Sequence, residues 1–254
     1  MTDFARLHRT GAPLLLPNAW DHASARLLAA QGFAAVGTTS LGVAAAAGLP
    51  DGAAATRDET LRLALSLGSA PFALSVDAED GFSDDPAQVA AFARELWAVG
   101  VAGVNLEDRL GPAERHAEKI AAVKAAAPGL FVNARTDTHW LGGGGDGADD
   151  TLARLRAYRE AGADGAFVPG LTDPAAIAAL VRALGDVPLN VLYSPTGPTV
   201  PDLTALGVRR ISLGSLLYRR ALGAAVEALT GIREGRAPVG PTPAYADVQE
   251  LSGG

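Results

Sequence analysis

The sequence predicts a (β/α)8 barrel, and three observations lead to this fold class. Eight short apolar runs alternate with longer amphipathic segments, each run is bounded by Gly, Pro or Asp, and 254 residues are enough for one such barrel. A doubly wound open sheet is the alternative, but the number of units and the chain length favour closure. The runs that we interpret as buried parallel strands span residues 14–20, 34–40, 71–78, 103–108, 130–137, 165–170, 188–194 and 208–215.

The segments between these runs carry the start and stop signals of helices. Residues 85–100 begin with an Asp cap followed by Pro at the first helical position, and they end at a Gly. Residues 151–162, 173–185 and 216–231 repeat this scheme. The alternation of strand and helix patterns is typical of a parallel sheet covered by helices.

We expect one barrel domain over residues 1–235 and a Pro- and Gly-rich tail over residues 236–254. The tail is interpreted either as a loose surface segment or as an arm that docks onto a partner subunit. The net charge of −7 gives no reason to expect nucleic acid or an anionic membrane as a partner. Cysteine is absent, and no apolar stretch reaches about 18 residues without a charge. With no signal peptide in the sequence, these features predict a soluble cytoplasmic protein.

Polar residues cluster where the predicted strands end. In barrels of this kind the active site lies at the carboxyl ends of the strands, so these residues are the candidates for chemistry. They are Asn18, Asp21, Thr38, Thr39, Ser40, Asp77, Glu79, Glu107, Asp108, Arg135, Asp137, Asn190, Tyr193 and Ser194.

Strand alternation brings several of these charges together. Residues i and i+2 share a face, so Asp77 and Glu79 face the mouth if the strand stays extended that far, and Asp80 points away. Glu107 and Arg135 join them from the next two strands. Buried charges of this kind imply a bound cation, a bound anion or both, and an all-oxygen set suits Mg²⁺ or Mn²⁺. Arg135 could then bind a substrate carboxylate, although an internal salt-bridge network is the alternative.

Several other catalytic classes lack their residues. Lys119 and Lys124 are the only lysines and lie in a predicted helix, which argues against Schiff-base and pyridoxal phosphate chemistry. The Gly-rich residues 142–147 do not have the spacing of a nucleotide-binding loop, so we interpret them as a flexible loop that could close over the site. His116 could reach the mouth or lie on a surface helix.

Four motifs together resemble the isocitrate lyase/phosphoenolpyruvate mutase superfamily. They are "NAWDHASARLLAAQGFAAVGTTSLGVAAAAGLPDG", "SVDAEDGF", "GVNLEDR" and "VNARTD", in the order and spacing of that superfamily. The resemblance covers about residues 10–230. It implies a (β/α)8 barrel that forms a homotetramer, a dimer of dimers, whose paired subunits exchange their last helices. It also implies Mg²⁺ and a 2-oxo or 2-hydroxy acid, with cleavage of a C–C or C–P bond through an enolate-like intermediate.

The resemblance also implies roles for individual residues. Asp77 resembles the direct metal ligand, and Glu79, Glu107 and Asp51 resemble residues that hold metal-bound waters. The remaining residues that it places at the substrate are Arg135 for the carboxylate, Thr39 and Ser40 for the carboxylate and carbonyl oxygens, and Trp20 and Phe82 for the pocket walls. Asn190 is a further candidate for substrate binding at a late strand end.

Departures from the superfamily pattern reduce the number of reactions that we expect this protein to catalyse. Residues 109–119 lack the Cys-containing loop of the lyase branch, and Pro169 stands where the C–P branch carries a His. The leading expectation is a Mg²⁺-dependent lyase or decarboxylase acting on the C–C bond of a small 2-oxo or 2-hydroxy dicarboxylic acid. Water, Glu114 or His116 would supply the proton. The alternatives are C–P bond chemistry and a barrel that binds metabolites without catalysis.

Overall fold

The computed structural model describes residues 2–68, 70–141 and 147–251, and its core is a barrel of parallel strands. Within these residues the sheet runs in the order β1-β9-β8-β7-β6-β5-β4-β3-β2. The Gly-rich segment proposed as a loop or lid falls largely on residues 142–146, which lie outside the described residues. The strands are β1 Leu14–Leu16, β2 Asn18–Ala19, β3 Ala35–Thr38, β4 Ala73–Asp77, β5 Gly103–Glu107, β6 Phe131–Arg135, β7 Gly165–Val168, β8 Leu189–Leu192 and β9 Arg210–Ser212.

The ring closes through a first strand that is divided in two. Strand β1 pairs with β9, while β2 pairs with β3, so the two short pieces bridge the first and last units of the sheet. Pro17 separates them and has no N–H to donate, but its carbonyl accepts a hydrogen bond from Gly37 N at 2.8 Å. The predicted (β/α)8 barrel is therefore confirmed, in a nearly closed form.

Helices cover the outside of the ring in the alternation that the sequence predicted. Two of the predicted caps are present: Asp85 accepts from Ala87 N and Asp173 accepts from Ala176 N. The scheme does not hold for the other two helices, because α7 begins at Gly147 and Ser215 makes no side-chain cap hydrogen bond at the start of α10. The tail, interpreted as either a loose surface segment or a docking arm, contains one short exposed helix. The helices are α1 Asp3–Leu7, α2 His22–Ala30, α3 Ser40–Ala47, α4 Arg57–Leu67, α5 Pro86–Ala98, α6 Ala113–Ala126, α7 Gly147–Glu160, α8 Pro174–Leu184, α9 Val200–Ala205, α10 Leu216–Arg233 and α11 Tyr245–Glu250.

Helix α1 plugs the end of the barrel opposite the mouth. Phe4 and His8 pack there on Phe131, with the His8 ring stacked on the Phe131 ring at 4.3 Å between centroids. Phe4 approaches Gly103 so closely that a side chain on Gly103 would collide with it. His8 Nδ1 lies 2.9 Å from the Phe4 carbonyl, which requires this nitrogen to be the donor and leaves Nε2 as an acceptor.

Helix α10 stands largely clear of the barrel. Its first turn contacts the mouth, where Tyr218 meets Trp20 at 5.3 Å between ring centroids. Beyond that turn, most of the helix is exposed, including a stripe of apolar side chains. The stripe consists of Leu222, Val226, Leu229 and Ile232. In the described part of the chain, no helix combines the length and apolar character needed to cross a membrane.

His8→Asn tests whether the buried, uncharged imidazole makes the fold sensitive to acid. Burial, and next the positive charge of Arg210, lower the pKa of His8 from 6.5 to about 3. Between these values the unfolded chain binds a proton that the folded chain does not, so stability falls as the pH falls. We expect the wild type to lose about 1.4 kcal/mol more unfolding free energy per pH unit than the variant. Urea denaturation between about pH 5.5 and about pH 4 measures both slopes, and equal slopes would contradict the assignment.

Candidate active site

The carboxyl ends of the strands surround a cavity of about 130 Å³ at the mouth of the barrel. Six residues proposed from the sequence line this cavity together, as expected where parallel strand ends converge. They are Asn18, Thr39, Ser40, Asp51, Asp77 and Arg135. The lining includes other residues to which sequence reasoning assigned no role, namely Asn105, Trp140, Phe167, Ser212 and Ser215.

Asp77 is the last residue of β4 and presents a half-buried carboxylate to the cavity. Its backbone N–H donates to Thr38 Oγ1 at 2.8 Å, which fixes the strand end. Its Oδ2 accepts a long hydrogen bond, 3.4 Å, from Ser40 N at the start of α3, and the Ser40 side chain also interacts with this carboxylate. Burial raises the pKa of Asp77, and the positive charge of Arg135 opposes this shift. The carboxylate is therefore available to a ligand.

Glu79 does not follow the extended register expected for it. Strand β4 ends at Asp77, and Glu79 adopts a left-handed backbone with φ 47°, so the alternation of faces stops before it. Its buried carboxylate instead accepts hydrogen bonds from Ala54 N at 3.2 Å and from the Thr56 hydroxyl. The expectation of an extended strand through Glu79 was wrong. Burial raises the pKa of Glu79, and the negative charge of the nearby Asp77 adds to this shift.

Glu107 and Arg135 end two neighbouring strands and are paired in the sheet register. Arg135 Nη1 lies 2.8 Å from Glu107 Oε2, and Arg135 Nε lies 2.7 Å from Asp137 Oδ1. Burial raises the pKa of Glu107 to about 8 although Arg135 opposes the shift. The internal salt bridge considered from the sequence is therefore present. Arg135 Nη2, however, makes no hydrogen bond to the described residues and remains free for an anion at the cavity.

Asp108 is buried next to the mouth and connects several segments that surround it. Its side chain is fully buried and accepts from Leu110 N at 3.0 Å, Asp137 N at 3.2 Å and the Tyr158 hydroxyl at 2.7 Å. Arg154 Nη1 also lies 3.2 Å from it. These hydrogen bonds lower the pKa of Asp108 against the effect of burial. Asp108 thereby ties the loops after β5 and β6 to helix α7, which keeps Arg135 and Asp137 in register.

A larger cavity of about 550 Å³ lies beside the mouth, against the loops that follow β4 and β5. His116 lines this cavity rather than the mouth, with its ring against Tyr158 at 4.6 Å between centroids. Burial lowers the pKa of His116 to about 4, and the charge of Asp108 opposes the shift. Lys119 is also buried here and donates to the Asp80 carbonyl at 3.0 Å. The mouth cavity, at the strand ends, remains the candidate site.

The other predicted site residues do not line the mouth cavity, and Glu107 lines the larger cavity beside it. Glu114 is exposed at the start of α6. Phe82 has a left-handed φ of 61° and packs edge-on against Phe92 of α5. Asn190 is buried in the barrel interior, where its amide pairs with the Ser212 hydroxyl at 3.0 Å.

The acidic residues at the mouth fit a cation that keeps much of its hydration. Among the described residues, no three Asp, Glu or His side chains are arranged to enclose a metal ion by themselves. Mg²⁺ does not need such a cage, because it commonly binds through one or two carboxylates and retains several waters. Burial and neighbouring carboxylates raise the pKa of Asp77, Glu79 and Glu107, so a cation would relieve their repulsion. The all-oxygen donor set suits Mg²⁺ or Mn²⁺.

The barrel and its charged mouth define an enzyme of the (β/α)8 class, with its site at the carboxyl ends of the strands. The chain belongs to the phosphoenolpyruvate mutase family, because the family model described as phosphoenolpyruvate phosphomutase matches residues 4–233. This confirms the superfamily inferred from the motifs. Members of the superfamily are lyases and mutases, so the coarse class of this protein is a lyase- or mutase-type enzyme.

Relatives and solved structures agree with this family. An uncharacterized protein of Mycobacterium tuberculosis is 43% identical over 250 residues, which are 97% of this chain and 94% of that protein. The 2-methylisocitrate lyase of Bacillus subtilis is 35% identical over 66% of this chain and 59% of its own length. The structure of an oxaloacetate acetylhydrolase with the product oxalate is 27% identical, with a TM-score of 0.86 over 98% of this chain and 92% of that one.

Tyr158→Phe tests whether Asp108 depends on its buried partners. Removing the hydroxyl leaves one side of a buried carboxylate without a donor, which we expect to cost about 1–3 kcal/mol of unfolding free energy. Urea denaturation measures the change. Tyr193→Phe is the matched control, because the Tyr193 hydroxyl makes no hydrogen bond within residues 2–68, 70–141 and 147–251. Equal stability of the two variants would contradict the role given to Asp108.

Proposed function

We propose that this protein is a Mg²⁺-dependent lyase or decarboxylase. The substrate class is a small 2-oxo or 2-hydroxy dicarboxylic acid, cleaved at the C–C bond next to the carbonyl or hydroxyl through an enolate-like intermediate. One observation carries the proposal: the available carboxylate of Asp77 and the free Nη2 edge of Arg135 line the same cavity. A site with both features suits a cation together with an anionic acid.

The chain's acidic residues would hold the cation at the mouth. Asp77 would bind Mg²⁺ or Mn²⁺ directly, and Glu107, Glu79 and Asp51 would hold its waters. The Mg²⁺ that the resemblance to the superfamily implies is consistent with this assignment. When bound, the ion supplies Lewis-acid stabilisation of negative charge on the substrate oxygen.

The remaining residues of the mouth would bind and orient the acid. Arg135 would bind a carboxylate through Nη2 while Glu107 and Asp137 hold the guanidinium plane in place. Thr39 and Ser40 lie at the N-terminus of α3, where backbone N–H groups favour anionic oxygens. Trp20 would support this wall through its contact with Tyr218. The exposed position of Glu114 and the buried, uncharged state of His116 favour water as the proton source.

C–P bond chemistry is the second candidate. The family model that matches the chain is that of a phosphomutase, which supports it. Against it, Pro169 lines the mouth cavity at the position where the C–P branch is expected to carry a His. We therefore rank C–C cleavage first.

Asp77→Asn tests the metal assignment. We screen about a dozen 2-oxo and 2-hydroxy acids with Mg²⁺ for pyruvate or glyoxylate release, and phosphonopyruvate for phosphate release. We expect the variant to lose at least roughly a hundredfold in kcat/KM, because several kcal/mol of charge stabilisation depend on the ion. Asp84→Asn is the matched control, since Asp84 lies on the same loop with a fully exposed side chain.

Three outcomes of this screen would change the assignment. Unchanged metal-dependent turnover in Asp77→Asn would contradict the site. Phosphonate turnover without C–C cleavage would move the protein to C–P chemistry. Metabolite binding with no turnover of any compound would favour the non-catalytic barrel.

We further propose that the protein is a homo-oligomer, a dimer of dimers, in which α10 packs on a partner subunit. The exposed apolar stripe of α10 supports this, because contiguous exposed apolar patches mark interaction surfaces. An exchange of α10 between paired subunits would cover the stripe.

Val226→Glu combined with Leu229→Glu tests this interface. Two carboxylates within a buried apolar interface would be strongly unfavourable, so we expect a lower molar mass in solution. Light scattering coupled to size exclusion measures the mass, and Glu227→Gln on the same helix is the control. A wild type that is monomeric at micromolar concentration would contradict the proposal.

A further inference from the structure

Arg210 is a buried cation in the interior of the barrel, below the mouth. It is 1% exposed and makes no salt bridge within the described residues. Its Nε donates to Ser212 Oγ at 3.1 Å, and its Nη2 donates to Ser75 Oγ at 3.3 Å and to Asn105 Oδ1 at 3.0 Å. Barrel interiors are usually filled by branched apolar side chains, and a buried charge without a counter-ion is unfavourable for stability. Stability therefore does not explain this arginine.

Arg210 fixes the orientation of the Asn105 amide. A guanidinium can only donate hydrogen bonds, so the Asn105 atom that faces it must be the oxygen. Asn133 Nδ2 donates to the same Oδ1 at 2.9 Å. Rotating the Asn105 amide by about 180° would place its NH2 group against the donors of Arg210 and Asn133. The amide therefore has one favourable orientation, with Oδ1 toward these two residues.

The fixed amide leaves its NH2 group for the mouth. Asn105 is the register partner of Asp77 and lines the mouth cavity. Its Nδ2 makes no hydrogen bond to the part of the chain that the structure describes, whereas its Oδ1 accepts two. The N–H group is thus a pre-oriented, uncharged donor beside the proposed metal ligand, of the kind that stabilises charge on a ligand oxygen.

We propose that Asn105 Nδ2 donates a hydrogen bond to an oxygen of the bound anionic acid, and that Arg210 is the positioning residue that holds this amide. The chemical class of the ligand rests on the proposed function. The orientation of Asn105 rests only on the interior hydrogen bonds.

Asn105→Asp separates the two roles of this side chain. It keeps an oxygen for Arg210 and Asn133, and it replaces the donor that faces the cavity with a negatively charged acceptor. We expect unfolding free energy to be kept, because the new carboxylate pairs with Arg210. We expect the affinity for oxalate in the presence of saturating Mg²⁺ to fall by roughly ten- to a hundredfold, measured by calorimetry. A titration with Mg²⁺ alone corrects for any change in metal affinity.

Arg210→Met tests the positioning role, with Arg209→Met as the matched control on the exposed neighbour. Replacing an unpaired buried cation with an apolar side chain of similar length should not lower stability, as judged by urea denaturation. Without Arg210 the Asn105 amide can rotate, so we expect oxalate binding to weaken about threefold to tenfold in Arg210→Met. We expect no such loss in Arg209→Met.

These measurements test the donor role of Asn105, the positioning role of Arg210 and the class of ligand separately. Wild-type oxalate affinity in Asn105→Asp, with metal binding corrected, overturns the donor role while the proposed function stands. Unchanged affinity in Arg210→Met, or a loss of affinity that merely follows unfolding, overturns the positioning role. A wild type that binds no oxalate with Mg²⁺ overturns the ligand class, and the proposed function fails with it.

Discussion

The guanidinium of Arg135 at the barrel mouth faces more carboxylate charge than one cation can neutralise. It contacts Glu107 and Asp137 directly and lies in the field of Asp77. Because these groups are buried, the pKa of Glu107 stays at about 8 with a guanidinium nitrogen 2.8 Å away. A further cation at the mouth would allow these carboxyl groups to ionise together, and the free edge of Arg135 can still bind an anion. The proposed metal and substrate both follow from this imbalance.

The fold produces this imbalance by bringing strand ends together. Parallel strands β4, β5 and β6 place their carboxyl ends side by side, and the register pairs Asp77 with Asn105 and Glu107 with Arg135. Below them the interior is polar, and Arg210 supplies a second positive charge under the mouth. Burial lowers the pKa of Arg210 to about 9, and the charge of Asp77 opposes this, so the arginine is still charged at neutral pH. Arg135 at the mouth and Arg210 in the barrel interior thus both place positive charge near Asp77.

The local pattern of the sequence was sufficient to predict part of this arrangement. Apolar runs and helix caps predicted the barrel, and alternation placed Asp77 and Arg135 at one mouth. The position of Glu79 could not be read in this way, because a left-handed residue ends the alternation and no residue type in "VDAEDG" signals it. Tyr158 and Arg210 were also missed. Their partners lie 50 and 105 residues away in sequence, so only the tertiary fold shows that they support the site.

The most direct test of a cation site at this mouth is a crystal structure of the protein grown with Mn²⁺, with an anomalous difference map. We predict one strong peak per chain within coordination distance of the Asp77 carboxylate, completed mainly by water and flanked by Glu107. A map with no peak at the mouth, or with its only strong peak away from Asp77, would contradict the charge imbalance as the basis of the site.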